Sequence, residues 1–99
     1  MNYIEQNFHK WTPVIQKYSN GRIAIEYIDP DDEMGECQCI ATVNMPDIEL
    51  KEDEVCIKTY SENEGLYECM VQAGHIAQSD MWIENGYVEI PICKLLLKH

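Results

Sequence analysis

The sequence predicts a single α+β domain, in which a mainly antiparallel sheet of about five to six strands is covered on one face by one helix. Two Asn-Gly pairs, Asn20-Gly21 and Asn85-Gly86, lie between runs of alternating apolar residues and indicate β-hairpins. Between them, apolar residues recur at helical spacing over residues 62–73. The length of 99 residues is typical of one small domain, so residues 1–99 are assigned to it.

The first half of the chain is predicted to hold a hairpin, a turn and a third strand. Residues 11–18 and 22–28 are the two hairpin strands, because the second alternates with a period of two. The preceding residues 1–10 form either a short helix or a loose arm. Residues 29–35 combine Pro, Gly and carboxylates, which indicates a turn, and residues 36–44 are predicted to be a strand.

The second half is predicted to hold a loop, a fourth strand, the helix and a second hairpin. Residues 45–53 are expected to be an exposed loop and residues 55–60 a strand. Ser61 and Glu64 have the spacing of a capping box that would begin the helix, and Gly74 is expected to end it. In the last hairpin, Val88, Ile90 and Ile92 are expected to face inward. Pro91 cannot donate a ladder hydrogen bond, so its strand should lie at a sheet edge or end there.

Cysteine usage favours a reducing compartment. The five cysteines are an odd number, which fits a closed set of disulfides poorly, and the N-terminal residues do not resemble a secretory signal. We therefore expect a cytoplasmic protein whose thiols pack as small hydrophobic groups. Cys37 and Cys39 are separated by one residue, which is not the knuckle spacing of a zinc site. On a strand their side chains would point the same way, as core packing requires.

The acidic residues are concentrated in the middle of the chain. The formal net charge is −11, and residues 26–68 hold fourteen of the eighteen acidic residues but only two of the seven basic ones. This charge excludes direct nucleic-acid binding and disfavours an anionic membrane, because both need Lys and Arg. It favours a basic protein as partner, with the chain itself a monomer or a weak homodimer. The candidate partner-binding surface consists of Asp29, Asp31, Asp32, Glu33, Glu36, Asp47, Glu49, Glu52, Asp53 and Glu54.

No catalytic or cofactor motif is present in the sequence. It contains no nucleophile elbow, phosphate-binding glycine loop, zinc-protease helix motif or dinucleotide fingerprint. Asp29, Asp31 and Glu33 have the spacing that opens a calcium loop, but Met34 stands where that loop requires Gly and Ile40 where it requires Glu. We therefore expect neither an enzyme nor a bound metal or cofactor.

Four segments resemble a known family. They are the Gly21-Arg22 turn into a strand, Ala41-Thr42-Val43-Asn44 before a proline, Ser61-Glu62-Asn63-Glu64-Gly65, and residues 86–95. Together they resemble a family of small bacterial proteins classed as a domain of unknown function (domain of unknown function 4313) and associated with mobile genetic elements. The resemblance covers about residues 19–95 and implies a fold pattern and a genomic setting. It implies no catalytic residues.

Two functional hypotheses follow from the sequence. The first is a non-catalytic interaction or accessory protein that uses the acidic residues, with aromatic side chains such as Tyr60 or Tyr67 as anchors. On a mobile element, one version is a DNA-mimicking inhibitor of a host nuclease. The alternative is a small thiol- or metal-dependent regulator built on Cys37 and Cys39.

Overall fold

The computed structural model describes residues 3–6, 9–29, 31, 37–60 and 63–98, which form seven β-strands and one α-helix. Every strand pairing in this part of the chain is antiparallel, which confirms the predicted α+β class. The elements in chain order are β1 (Ile4–Gln6), β2 (His9–Lys17), β3 (Ile23–Ile28), β4 (Cys37–Ile40), β5 (Glu54–Cys56), α1 (Leu66–Ala73), β6 (Met81–Asn85) and β7 (Val88–Lys94).

The first sheet contains β1, β2, β3 and β4 in that order. The predicted hairpin between β2 and β3 is confirmed, and Gly21 adopts a φ of 84° in its turn, a left-handed conformation that suits glycine. The prediction of a helix or loose arm over residues 1–10 is wrong where the structure describes them. Ile4 pairs with Trp11 across β1 and β2, and it is 1% exposed. Burial of Ile4 in the main core therefore holds this arm as a strand.

The second sheet has the order β5-β7-β6 and contains the predicted second hairpin. Ile90 and Ile92 are buried as expected, and Val88 packs against the same cluster. The prediction that Pro91 marks an edge or a strand end is wrong, because β7 is the central strand and continues to Lys94. The proline is tolerated because it lies just beyond the last β5–β7 pair, Cys56 and Ile92, where its carbonyl still accepts a hydrogen bond from the Ile57 N–H.

The predicted single sheet is divided into two sheets that meet at residues 41–43. Thr42 forms an isolated bridge with Ile57, while the Val43 N–H donates to the Cys56 carbonyl at 3.0 Å. The strand predicted over residues 36–44 accordingly ends at Ile40, and the one predicted over residues 55–60 is Glu54–Cys56. In the sequence, the alternation of side chains between two faces runs through residues 41–43 without interruption. This pattern therefore does not indicate where one sheet ends and the other begins.

Helix α1 begins later than predicted. Gly65 precedes it with a φ of 85°, a left-handed conformation that cannot continue a right-handed helix, and no side chain among the described residues caps the first turn. The capping box predicted at Ser61 therefore does not start this helix, and Ser61 and Glu62 lie outside the described residues. The predicted stop is confirmed: Gly74 has a φ of 78°, and its N–H donates to the Val71 carbonyl at 3.1 Å.

Two hydrophobic clusters form the core. The main cluster lies between the first sheet and α1 and includes Ile25, Tyr27, Leu66 and Met70. Within this core, the Tyr27 hydroxyl and Nδ1 of His75 share a hydrogen bond of 2.7 Å, and both residues are fully buried. The smaller cluster consists of Cys56, Ile90 and Ile92, with Met45, Ile48 and Leu50 packed against it. The loop at residues 45–53 is therefore anchored by its apolar side chains rather than wholly exposed.

Candidate functional site: an aromatic and acidic cleft

The first part of the predicted acidic surface lies at the end of β3. Asp29 follows this strand, and its Oδ1 accepts a hydrogen bond of 2.9 Å from the Asp31 N–H, which forms a local turn. Asp32, Glu33 and Glu36 lie outside the described residues. Asp29 therefore has a local structural role in this turn.

The second part lies at the opposite end of β3. Arg22 precedes that strand, and its guanidinium donates to the carbonyls of Met45, at 2.6 Å, and of Ile48. This arginine holds the acidic loop, which we define as Asp47, Glu49, Glu52, Asp53 and Glu54. Because β3 has six residues, its ends are separated by roughly 20 Å. The described acidic residues thus occupy two separated places rather than one face.

Basic groups are interspersed within the acidic loop. The Lys94 ammonium lies 3.8 Å from an Asp53 carboxylate oxygen, and Arg22 and Lys51 line one groove with Glu49 and Glu54. The Glu54 carboxylate accepts a hydrogen bond of 2.8 Å from the Lys51 N–H. Lys94, Arg22 and Lys51 thus offset part of the charge of the five carboxylates, so this loop is a weaker electrostatic site than its sequence indicates.

The described thiols have the surroundings of packing groups. Cys56 and Cys93 are buried, and burial raises the pKa of Cys56 and that of Cys93, the latter to about 12. Burial also raises the pKa of Cys69. Cys39 packs against the main core, as predicted, whereas the side chain of Cys37 lies outside the described residues. The described residues hold no cluster of His, Cys, Asp and Glu that could bind a metal ion.

A cleft of about 600 Å³ lies between the start of α1 and the β6–β7 hairpin. Its lining combines aromatic rings with carboxylates, and no Lys, Arg or His is among the described lining residues. The aromatic residues are Tyr60, Tyr67, Trp82 and Tyr87, and the acidic ones are Glu64, Glu68, Glu84 and Glu89.

The aromatic side of the cleft is held in place by α1. Tyr67 packs edge-to-face against Trp82, with 5.2 Å between ring centroids, and its hydroxyl accepts a hydrogen bond of 2.8 Å from the Ser79 N–H. Tyr67 is only 9% exposed, so the prediction that it is an exposed anchor is wrong. Its packing instead positions Trp82, which remains 44% exposed, while Tyr87 is fully exposed. The open aromatic surface therefore belongs to the hairpin.

The opposite wall is fixed by hydrogen bonds to the segment that precedes α1. The Thr59 hydroxyl donates to the Glu89 carbonyl at 2.9 Å, which ties this segment to β7. Asn63 is buried, and its Nδ2 donates to the Ile40 carbonyl at 2.8 Å. Its Oδ1 accepts no hydrogen bond from the described residues. Hydrogen bonds and ring packing thus hold both walls of the cleft in place.

The cleft has the chemistry of a cation site. Glu84 and Glu89 are direct cross-strand partners, which places two like charges side by side. Aromatic ring faces attract cations, and Tyr60 already does so within this chain, since the Lys58 ammonium lies 5.4 Å from its ring centroid. A Lys or Arg side chain entering the cleft could pack its apolar stem on a ring and place its charge near a carboxylate.

Sequence reasoning missed most of this cleft. Trp82 and Glu84 are two residues apart, and the turn at Gly86-Tyr87, one residue later than the predicted turn at Asn85-Gly86, brings Glu89 opposite Glu84. The inward assignment of Ile90 and Ile92 already implied that these residues share the other face of the hairpin. Only the position of α1 beside that face required the three-dimensional structure.

No family model, curated protein or solved structure matches the chain. The resemblance to a family associated with mobile elements therefore stays a prediction. Within the described residues, no helix has the length and apolar character needed to span a membrane.

Proposed function

We propose that this chain is a non-catalytic interaction protein that binds a basic segment of a partner protein in the cleft between α1 and the β6–β7 hairpin. The observation that carries the proposal is the lining, which places the aromatic rings of Trp82 and Tyr87 beside the carboxylates of Glu84 and Glu89. The partner supplies Lys or Arg, and the interaction takes place in the cytoplasm, where free thiols stay reduced.

Elementary electrostatics favours this ligand. A cation over an exposed aromatic ring gains about 0.5–1 kcal/mol, and a surface ion pair contributes up to about 1 kcal/mol. Several such contacts together give a weak but specific complex. Because exposed charges are screened beyond about 8 Å in physiological salt, the affinity should fall as salt rises.

The cleft supports this reading better than the two other hypotheses. A DNA mimic needs carboxylates repeated along one face, whereas Asp29 and the acidic loop lie at opposite ends of β3. A thiol- or metal-dependent regulator built on Cys37 and Cys39 needs an accessible thiol, whereas Cys39 packs against the main core and the described residues hold no group of ligands for a metal ion.

The test is calorimetric titration of the full chain with an octapeptide in which Arg alternates with Thr. We expect binding that weakens with salt, and no binding of the same peptide with Glu in place of Arg. The Glu84→Gln/Glu89→Gln variant should bind the basic peptide about fivefold to tenfold more weakly, because it removes two exposed charges from the cleft.

The matched control is Glu49→Gln/Glu52→Gln, which removes the same charge from the acidic loop. It should reduce affinity by less than about twofold, since only long-range attraction changes. Equal losses in the two double variants would show that the cleft has no special role, and absence of peptide binding to the parent chain would overturn the proposal.

A further inference from the structure

Strand β6 is a regular sheet edge beside the cleft, and no described strand pairs with its outer side. It is the outer strand of the second sheet, and its five residues pair with β7 without a register shift. It contains neither proline nor lysine, which natural proteins place on edges to prevent further pairing. Met81 is 62% exposed and Trp82 is 44% exposed, so this edge also presents apolar side chains.

The backbone of Trp82 is oriented for pairing with another strand. The Pro91 carbonyl accepts a hydrogen bond of 3.1 Å from the Ile57 N–H, so it points toward β5 and away from β6. Trp82 is the residue opposite Pro91 on β6, and the two therefore form a non-hydrogen-bonded pair. In such a pair the N–H and C=O of each residue point away from the other strand, so those of Trp82 point outward. Alternation along the strand gives Glu84 the same orientation.

The other edges are less suited to this role. Residues 41–43 pair along the outer side of β5, through the Thr42–Ile57 bridge and the bond from Val43 to Cys56. The pairing of β3 with β4 contains a register shift, and β1 has only three residues. Residues 12–17 of β2 pair with β3 alone and form a longer edge, but they include Pro13 and Lys17, which oppose further pairing. Of the edges that the structure describes, β6 is the longest with a continuous register and with neither proline nor lysine.

The outward backbone groups and the cleft belong to the same residues. Trp82 and Glu84 both line the cleft with their side chains. Because side chains of adjacent strands align on the same face, a strand added to β6 would place every second side chain beside Trp82 and Glu84. An extended segment with basic residues at alternate positions therefore matches both the hydrogen-bonding edge and the acidic lining.

We propose that β6 accepts the basic segment of the partner as an additional β-strand, with alternate Lys or Arg side chains directed into the cleft. This inference rests on the proposed function and specifies its binding mode. A second copy of this chain is a poorer occupant, because each copy carries a formal net charge of −11 and the two would repel.

The experiment measures amide hydrogen exchange by NMR on the full chain, with and without the octapeptide in which Arg alternates with Thr. We expect the amides of Trp82 and Glu84 to exchange at least about tenfold more slowly at saturation, because each gains a hydrogen bond. The Ile83 amide, which already faces β7, serves as the internal control and should change little.

A peptide series gives a second readout. In the bound peptide, the backbone N–H groups of every second residue face β6, and those of the residues between them face away. Methylation of the nitrogens of the first set should abolish binding, whereas methylation of the second set should be tolerated. Equal tolerance of both sets would overturn strand addition.

The outcomes separate the two proposals. If the peptide binds and its affinity depends on Glu84 and Glu89, but the Trp82 and Glu84 amides stay unprotected, strand addition is wrong and the proposed function stands. If no basic peptide binds, both fall. Concentration-dependent protection of these amides without peptide would assign the edge to a second copy and would also overturn strand addition.

Discussion

Glu84 and Glu89 lie directly opposite each other on β6 and β7, and both line the aromatic cleft. Like charges in direct cross-strand positions destabilise a sheet. Glu84 and Glu89 form a non-hydrogen-bonded pair, in which the two side chains lie closer together than in a hydrogen-bonded pair. A cation bound in the cleft would relieve this repulsion. The pair thus connects the stability of the hairpin with the proposed binding.

Replacement of one residue of this pair should stabilise the chain and weaken the proposed binding. We expect Glu84→Gln to raise the free energy of unfolding by about 0.2–1 kcal/mol, because it removes the cross-strand repulsion. The measurement is urea denaturation followed by circular dichroism. Glu49→Gln is the control and should change stability by less than about 0.5 kcal/mol. A clear loss of stability in Glu84→Gln would contradict the assigned repulsion.

The buried pair of Tyr27 and His75 should be sensitive to loss of one hydroxyl. Tyr27→Phe keeps the ring but leaves Nδ1 of His75 without its bond of 2.7 Å. We expect the free energy of unfolding to fall by about 1–3 kcal/mol, the usual effect of leaving a buried polar atom unpaired. Denaturation of the purified variant measures this.

Tyr87→Phe is the matched control for that substitution. Tyr87 is fully exposed, so removal of its hydroxyl should change stability by less than about 0.5 kcal/mol. Similar effects of the two variants would show that the Tyr27–His75 bond adds nothing to stability.

Stability should decline at alkaline pH because of Cys93. Burial raises the pKa of this thiol from its ordinary value of 9.0 to about 12. Above pH 9 the unfolded chain therefore loses a proton that the folded chain retains, and the stabilisation present below pH 9 is progressively lost up to about pH 12. The slope from one such group is at most about 1.4 kcal/mol per pH unit.

Stability curves for the parent chain and Cys93→Ala would isolate this group. The variant should unfold more easily at neutral pH and show a shallower decline above pH 9. Burial also raises the pKa of Cys56 and of Tyr27, so part of the slope should persist. Parallel curves would contradict the role of Cys93.

Lysine should not be able to replace Arg22 as the residue that anchors the loop at residues 45–50. Its guanidinium donates to three carbonyls of the loop that follows Asn44, those of Met45, Pro46 and Ile48, and lysine has no planar group that could serve all of them. We expect Arg22→Lys to lower the free energy of unfolding by about 1–2 kcal/mol and to speed amide exchange in residues 45–50. Lys17→Arg, on the exposed end of β2, is a control that should have little effect. Unchanged exchange in that loop would show that Arg22 does not anchor it.

The predictable parts of the fold were those encoded by neighbouring residues. Asn85-Gly86 indicates a tight turn, which the structure places one residue later at Gly86-Tyr87, and Gly74 ends a helix whose apolar spacing is visible in the sequence. Pro91 was misjudged because a missing N–H matters only where a neighbouring strand needs it, and that depends on where β5 ends. The capping box was similarly overridden by the left-handed backbone at Gly65.

The candidate site was less predictable because it depends on distant residues. The density of acidic residues along the chain predicted one binding surface that included Asp29 and the acidic loop. In the structure these two places are separated by the length of β3. The cleft joins Tyr67 from α1 with Trp82 from β6, a contact across fifteen positions that no local pattern indicates. The aromatic hypothesis at Tyr60 and Tyr67 identified the right part of the chain but not the exposed rings.

The proposed binding of basic segments in the cleft is tested most directly by swapping the acidic residues of the cleft and the basic residues of the peptide. The Glu84→Lys/Glu89→Lys variant should bind the octapeptide in which Glu alternates with Thr and should lose the Arg peptide, whereas the parent chain should do the reverse. Calorimetric titration of both proteins with both peptides provides the measurement, and circular dichroism verifies that the variant is folded. A folded variant that still binds the Arg peptide as tightly as the parent chain would contradict the assignment of the cleft as a cation-binding site.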